Sequence, residues 1–124
     1  MTQLYQQQLM DHYRNPRNQG ILDKPDFKSG VFNPSCGDSI AIEGMVQDYT
    51  LVLIAFQGSG CVVSQATASL LMQAAKGKEL DEIMQFDRLA IELLIGMQLG
   101  PVRLKCALLP LQALQEGIQQ YQNR

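Results

Sequence analysis

The spacing of apolar and polar positions predicts a helix, a loop and a hairpin in the first half of the chain. Apolar positions recur at helical spacing over residues 3–13, and Pro16 predicts the end of this helix, because a residue before proline disfavours the helical region. Glycine and proline are spread through residues 14–37, which predicts a long loop. Two β-rich runs, residues 39–46 and 49–56, then predict an antiparallel hairpin.

The second half of the chain shows helical patterns only. Helices are predicted over residues 63–75, 80–86 and about 103–122, and Asp87 is a candidate cap for a further helix that runs through Met97. Pro110 lies inside the last pattern and predicts either a kink or a later start of that helix. This order predicts an α+β fold with an N-terminal helix before a small antiparallel sheet of about three strands, and with helices packed on one face of that sheet. Residues 1–124 are expected to form one domain.

Composition and charge exclude several classes of function. Apolar residues make up 46% of the 124 residues, which suits an ordinary globular core. Ten basic and twelve acidic side chains give a net charge of −2 without a long basic run, which argues against a nucleic-acid partner. The apolar stretches are too short to span a membrane. The first residues lack a basic region followed by an apolar stretch, so a cytoplasmic location is expected.

The three cysteines are the strongest candidates for chemistry. Cys36 lies in a turn motif, Cys61 follows Gly58-Ser59-Gly60, and Cys106 lies near the start of the last helix. A thiol at such a place is expected to be accessible, and nearby amides and cations favour the thiolate that binds soft metals or accepts sulfur. The alternatives are small buried side chains or disulfides. The odd number of cysteines and a reducing compartment argue against disulfides, and the wide spacing excludes the close pairs of zinc fingers.

Four segments of the chain resemble the IscU/SufU/NifU-N family of iron–sulfur cluster assembly proteins. These segments are Asp11-His12-Tyr13-Arg14-Asn15-Pro16-Arg17-Asn18-Gln19-Gly20, Asn33-Pro34-Ser35-Cys36-Gly37-Asp38, Gly60-Cys61 before a Ser- and Ala-rich helix, and Arg103-Leu104-Lys105-Cys106. They follow the family's order at family-like distances, and the resemblance extends over nearly the whole chain. His12, the only histidine, is expected to lie on a helix surface or to have a packing role rather than to bind metal.

The resemblance implies a site in which Cys36, Cys61 and Cys106 converge beside Asp38. These residues would bind zinc in the isolated protein, and iron or a transient [2Fe–2S] cluster during assembly. Sulfur would come as a persulfide from a cysteine desulfurase of the IscS or SufS type, with Cys36 and Cys106 as candidate acceptors, and the cluster would pass to downstream acceptors or carriers. Three thiolates and one carboxylate also provide the four ligands of a tetrahedral zinc site, and the carboxylate is the ligand most easily exchanged.

The subtype within the family stays open at this point. Lys105 stands where most IscU-type members carry histidine, which favours the SufU type, whereas the short gap between Cys61 and Cys106 favours the IscU type. Residues 99–103 only partly resemble the motif read by the IscU chaperone, which argues against a chaperone partner. The leading hypothesis is a scaffold without catalytic turnover. The alternatives are a zinc-dependent sulfurtransferase that stimulates the desulfurase and a structural zinc domain that binds protein partners.

Overall fold

The computed structural model describes residues 3–124, which form five helices and three strands. The elements are α1 (Gln3–Arg14), β1 (Phe27–Asn33), β2 (Asp38–Gln47), β3 (Thr50–Ser59), α2 (Val62–Ala75), α3 (Leu80–Met84), α4 (Arg88–Ile95) and α5 (Pro101–Gln122). The strands form an antiparallel sheet in the order β1-β2-β3. The predicted α+β class and the N-terminal helix before the sheet are confirmed. Within the described residues, no helix is long and apolar enough to cross a membrane.

The core lies between the sheet and helices α2 and α5. Alternate residues of β2, such as Ile40 and Ile42, are fully buried, whereas Ala41 between them is exposed. Helix α5 packs against β1 and β2, and α2 packs against β3 and α5. The small side chains of Ala66 and Ala68 are completely buried in α2, which is what allows this helix to approach its neighbours closely. Helix packing therefore fixes where α2 and α5 begin relative to the sheet.

Strand β1 corrects the prediction that residues 14–37 form a loop throughout. Phe27 to Asn33 pairs along its whole length with β2, from Phe27 opposite Gly44 to Asn33 opposite Asp38. Its side chains are only partly buried after Phe27, because β1 is an edge strand and one face is open to solvent. Pairing with β2 across a short turn and packing against the distant helix α5 hold this strand, whereas its own sequence, interrupted by Gly30, shows no clear strand pattern.

Helix boundaries agree closely with the local signals in the second half of the chain. Asp87 caps α4 by accepting a hydrogen bond from the Ala90 backbone N–H at 3.1 Å, as its position before the helical pattern predicted. Helix α5 begins at Pro101 and includes Pro110. A later start at Pro110 is therefore wrong. Proline fits the first turn of a helix at Pro101, and Pro110 is tolerated in the interior, where it is buried.

Candidate functional site

Cys36 lies at the tip of the turn that joins β1 to β2. The turn is closed by the Gly37 backbone N–H, which donates to the Asn33 carbonyl at 2.8 Å, and Gly37 has a φ of 74°. Ser35 N–H donates to the Asn33 side-chain oxygen at 3.0 Å, which orders the other half of the turn. The side chain of Cys36 is exposed, as the sequence predicted for a cysteine on a glycine-flanked turn.

Cys61 is the N-cap residue of α2. Its sulfur accepts a hydrogen bond from the Ser64 backbone N–H at 3.4 Å, in the place that an oxygen-bearing side chain usually takes at a helix start. Gly60, with a φ of 139°, precedes it, and a Cβ atom at this position would overlap the carboxylate of Asp38. Glycine is therefore required both for the backbone conformation and for the close approach of α2 to Asp38.

Asp38 is the first residue of β2, and its carboxylate is completely buried. Oδ1 accepts a hydrogen bond from the Cys61 backbone N–H at 2.7 Å. Oδ2 accepts one from the thiol of Cys36 at 3.0 Å and a longer one from the thiol of Cys61 at 3.4 Å. One carboxylate therefore joins the β1–β2 turn to the start of α2.

Cys106 reaches the same place from the second turn of α5. Its sulfur lies 3.6 Å from that of Cys36, and one ligand atom each from Cys36, Asp38 and Cys106 lie within 4.8 Å of one another. The sequence predicted an accessible thiol here, but Cys106 is only 5% exposed. The prediction is wrong because Cys106 lies on the side of α5 that packs into the core rather than at its free end.

The titration of Cys106 also differs from the sequence-based prediction. Burial, followed by hydrogen bonding with Asp38 and Cys36, raises the pKa of the Cys106 thiol far above its ordinary value. The expectation that nearby cations favour its thiolate is therefore wrong for the metal-free protein, in which Lys105 is exposed. A bound cation would reverse this balance, because metal ions bind the thiolate and displace its proton.

The carboxyl group of Asp38 behaves in the opposite way. Burial alone would raise the pKa of Asp38, but hydrogen bonds from Cys36, from the Cys61 backbone, and from the Cys106 and Cys61 thiols outweigh burial and lower it. The carboxylate is therefore ionised at neutral pH although it is buried. A buried negative charge surrounded by thiols forms a suitable binding site for a cation.

The spacing of these groups fits a tetrahedral metal ion. Zinc–sulfur bonds of about 2.3 Å place two sulfur ligands of a tetrahedron about 3.8 Å apart. The observed 3.6 Å between the sulfurs of Cys36 and Cys106 is close to this separation. Asp38 Oδ2 lies 3.0 Å from the sulfur of Cys36, so one ion can contact Cys36, Asp38 and Cys106 together. The sulfur of Cys61 lies 3.4 Å from Oδ2 but outside this mutually close group, and it would have to move to become the fourth ligand. The donor set of thiols and a carboxylate suits zinc or iron.

His12 lies outside this site. It is 4% exposed, and its Nδ1 atom lies 2.7 Å from the hydroxyl of Ser69 on α2. The same hydroxyl accepts a hydrogen bond from the Arg17 backbone N–H at 2.8 Å. The predicted packing role of His12 is confirmed, since it attaches α1 and the following segment to α2.

Two contributors to the site were not predicted from the sequence. The Cys61 backbone N–H holds Asp38 Oδ1, and Gly60 leaves room for that carboxylate. The sequence Gly-Ser-Gly before a helix start is the only signal that pointed to a close backbone approach there.

Comparisons with known proteins agree with this arrangement. Residues 4–124 match the model of the NifU-like N terminal domain family. The chain is 34% identical to the zinc-dependent sulfurtransferase SufU of Bacillus subtilis, over 93% of this chain and 89% of that protein. It is 36% identical to the iron–sulfur cluster assembly scaffold protein IscU of Haemophilus influenzae, over 94% of each. The N-terminal part of a NifU-like protein from Brucella abortus has the same fold, with a TM-score of 0.80 at 22% identity over 97% of this chain and 95% of that one. The chain therefore belongs to the NifU-like N-terminal domain family.

Proposed function

We propose that this chain is an iron–sulfur cluster assembly scaffold that accepts sulfur from a cysteine desulfurase and passes a [2Fe–2S] cluster to downstream acceptors or carriers. The observation that carries the proposal is the arrangement of three cysteine side chains around the buried carboxylate of Asp38. Its relatives include IscU scaffold proteins and a SufU sulfurtransferase, which supports a role in cluster assembly or sulfur transfer.

Cys36, Cys61, Cys106 and Asp38 are the proposed ligands of the cluster during assembly, and of zinc in the isolated protein. Thiolates hold iron and zinc strongly, whereas a carboxylate is a harder ligand that exchanges more readily. Asp38 is therefore the ligand that we expect to yield its place when sulfur enters or when the cluster leaves. Its hydrogen bond to the Cys61 backbone keeps the carboxylate at the site after it releases the metal.

Cys36 is the proposed first acceptor of sulfur. Its side chain is exposed at the tip of a turn, whereas Cys106 is buried in α5. A thiolate on Cys36 would attack the outer sulfur of the donor's persulfide, and a new sulfur–sulfur bond would form as the desulfurase cysteine leaves as a thiolate. Cys106 is the other candidate sulfur acceptor. It would receive sulfur or a cluster only after Cys36 has done so, because a bulky partner cannot reach the buried Cys106 directly.

A zinc-dependent sulfurtransferase is the second candidate function. Lys105 beside Cys106 favours it, and a SufU protein of Bacillus subtilis, at 34% identity, is among the relatives of the chain. The two functions share the sulfur-accepting step and differ afterwards. A scaffold builds a cluster on its own ligands, whereas the sulfurtransferase keeps zinc and passes the sulfur on.

Anaerobic reconstitution with ferrous iron, cysteine, a cysteine desulfurase and dithiothreitol, which reduces persulfide sulfur to sulfide, tests the proposal. We expect iron and sulfide to bind in equal amounts, with an absorption spectrum typical of a [2Fe–2S] cluster and transfer of that cluster to an apo-ferredoxin. Serine at Cys36, Cys61 or Cys106 should each reduce bound iron at least tenfold. Alanine at Ser35, in the same turn as Cys36, is the control and should leave reconstitution unchanged.

The same experiment separates the two functions. If zinc-loaded protein increases sulfide production by the desulfurase and gains a persulfide on Cys36, yet never holds iron and sulfide, the sulfurtransferase is correct and the scaffold is wrong. If no cysteine gains sulfur and no cluster forms, both are wrong. Mass spectrometry of a sample prepared without dithiothreitol, before and after thiol reduction, locates the added sulfur atom.

A further inference from the structure

Cys36 and Cys106 are already close enough for their sulfurs to bond after a small movement. Their sulfurs lie 3.6 Å apart, and a disulfide bond is about 2.05 Å long. Both cysteines are free. The sulfur of Cys61 lies outside the group of mutually close ligand atoms that Cys36, Asp38 and Cys106 form. Among the three cysteines, the arrangement therefore favours one pair.

The surroundings of the two sulfurs allow the remaining movement. Cys36 lies on an exposed turn of four residues, 34–37, between the ends of β1 and β2. Rotation of its side chain and small changes in this turn do not disturb the core. Cys106 is held in α5 and is 5% exposed, so it remains in place as Cys36 approaches it. The sulfur of Cys36, on the exposed turn, and the sulfur of Cys106, held in α5, therefore face each other across the site.

The difference in exposure also sets the order of the chemical steps. A dissolved oxidant reaches Cys36 first, because Cys106 lies behind it in the core. An oxidised sulfur on Cys36 is then within reach of a thiol that bulk reagents cannot easily reach. Such a pair, an accessible cysteine beside a resolving cysteine, is the usual arrangement of a reversible thiol switch.

We propose that Cys36 and Cys106 form a disulfide when the metal-free protein meets a hydroperoxide, and that this bond closes the site to metal until a thiol reductant reopens it. In the first step the Cys36 thiolate attacks one peroxide oxygen, which gives a sulfenic acid and releases the other oxygen as water after it takes up a proton. The Cys106 thiol then displaces the hydroxyl of the sulfenic acid as a second water. The two thiols lose two electrons, and hydrogen peroxide accepts them.

The bond would remove two of the proposed metal ligands at once. Its formation does not depend on the proposed function, but its effect on sulfur acceptance does, because Cys36 is the proposed acceptor. Bound zinc or a cluster would occupy both sulfurs and prevent the reaction. The switch would therefore act on empty protein and leave loaded protein unchanged.

The experiment uses the full chain, stripped of metal with a chelator, freed of reductant and treated with a small excess of hydrogen peroxide. Intact mass should fall by two hydrogen atoms, and digestion after alkylation should give one cross-linked peptide pair that contains Cys36 and Cys106. Ser35→Ala, in the same turn as Cys36, is the matched control and should form the bond at a rate within twofold of the parent chain. Cys61→Ser should still give the Cys36–Cys106 cross-link. Cys36→Ser and Cys106→Ser should both fail to form it.

Zinc measurements then test the consequence. The oxidised protein should bind zinc at least tenfold more weakly than the reduced protein, and dithiothreitol should restore binding. A main cross-link that includes Cys61 would overturn the proposal. So would a sulfinic acid on Cys36 with Cys106 still free, or equal oxidation of zinc-loaded and metal-free protein. Because no iron, desulfurase or cluster acceptor is present, this assay can succeed or fail independently of the scaffold function.

Discussion

Replacing Asp38 with asparagine should destabilise the metal-free protein and weaken its binding of zinc. Asparagine has nearly the same shape as aspartate, so the substitution removes the charge and leaves the volume of this fully buried position unchanged. The hydrogen-bond donors around the carboxylate would remain, but they would then face a neutral group, one end of which is itself a donor. The Cys61 backbone N–H and the three thiols would lose part of their interaction with residue 38.

The magnitude follows from two opposing contributions. Hydrogen bonds to a charged acceptor contribute about 1.5–3 kcal/mol each, against about 1 kcal/mol for neutral pairs. The bonds from Cys61 N at 2.7 Å and from Cys36 Sγ at 3.0 Å are short, whereas the one from Cys61 Sγ at 3.4 Å is weak. Burial of the charge opposes them, but the lowered pKa of Asp38 shows that the hydrogen bonds prevail. We therefore expect the free energy of unfolding to fall by about 1–2 kcal/mol.

Urea unfolding of the chelator-treated, reduced protein at pH 7 measures this loss. Asp26→Asn is the control, because the exposed Asp26 carboxylate also accepts a backbone hydrogen bond, from Val46 N–H at 2.7 Å, yet lies in water. It should change the free energy of unfolding by less than about 0.5 kcal/mol. Zinc affinity of Asp38→Asn should fall at least tenfold. An unfolding free energy equal to that of the parent chain would refute the reasoning that the site is organised around a buried charge.

Three further predictions concern the parts that hold the site in place. Burial, with Arg17 adding to it and Asp11 opposing, lowers the pKa of His12 below its ordinary 6.5, so the unfolded chain binds a proton more readily. The contribution of His12 to the free energy of unfolding should be complete above pH 6.5 and be lost as the pH falls below it, and urea unfolding of His12→Gln should lack this loss. Gly60→Ala should cost about 2 kcal/mol in urea unfolding, because of its positive φ and the overlap with the Asp38 carboxylate, and the idea fails if stability is unchanged. Pro110→Ala should stabilise the chain by about 1 kcal/mol in thermal or urea unfolding. Alanine restores the backbone N–H that proline lacks, and the helical hydrogen bond it makes should outweigh the lost ring contacts; a destabilised variant would contradict this.

Much of the fold could be predicted because the signals are local. Asp87 before an apolar helical pattern and Gly77 after another act within one or two turns of their own helices, and both helices have boundaries close to the predicted ones. Strand β1 could not be predicted in the same way. Phe27 and Val31 are its clearest inward positions, and the intervening residues are polar or glycine. Its stability comes from pairing with the next strand, β2, and from packing against α5, which lies at the other end of the chain.

The candidate site shows the same distinction between features set by local sequence and features set by long-range packing. The turn of Cys36 and the helix start at Cys61 are local features, and their sequences indicated them. The burial of Cys106 depends instead on which side of α5 faces the sheet, and that is decided by packing over the whole helix. The carboxylate of Asp38 also has its ionisation set by groups from three separate segments. Residue types and motifs could therefore predict which side chains carry the chemistry, but not their exposure or their pKa values.

The unequal exposure of the three cysteines makes the site accessible from one side only. Cys36 and Cys61 are open to solvent on the β1–β2 turn and at the start of α2, and Cys106 lies behind them in the core. A partner protein can reach the outer sulfurs, whereas the inner sulfur interacts mainly with Asp38 and Cys36. Sulfur and oxidants would therefore arrive at the same exposed residue, Cys36, and the occupancy of the site would decide between them. In an empty site Cys106 is available to Cys36, and in a loaded site both sulfurs would be held by the metal, so metal binding would protect the proposed sulfur acceptor.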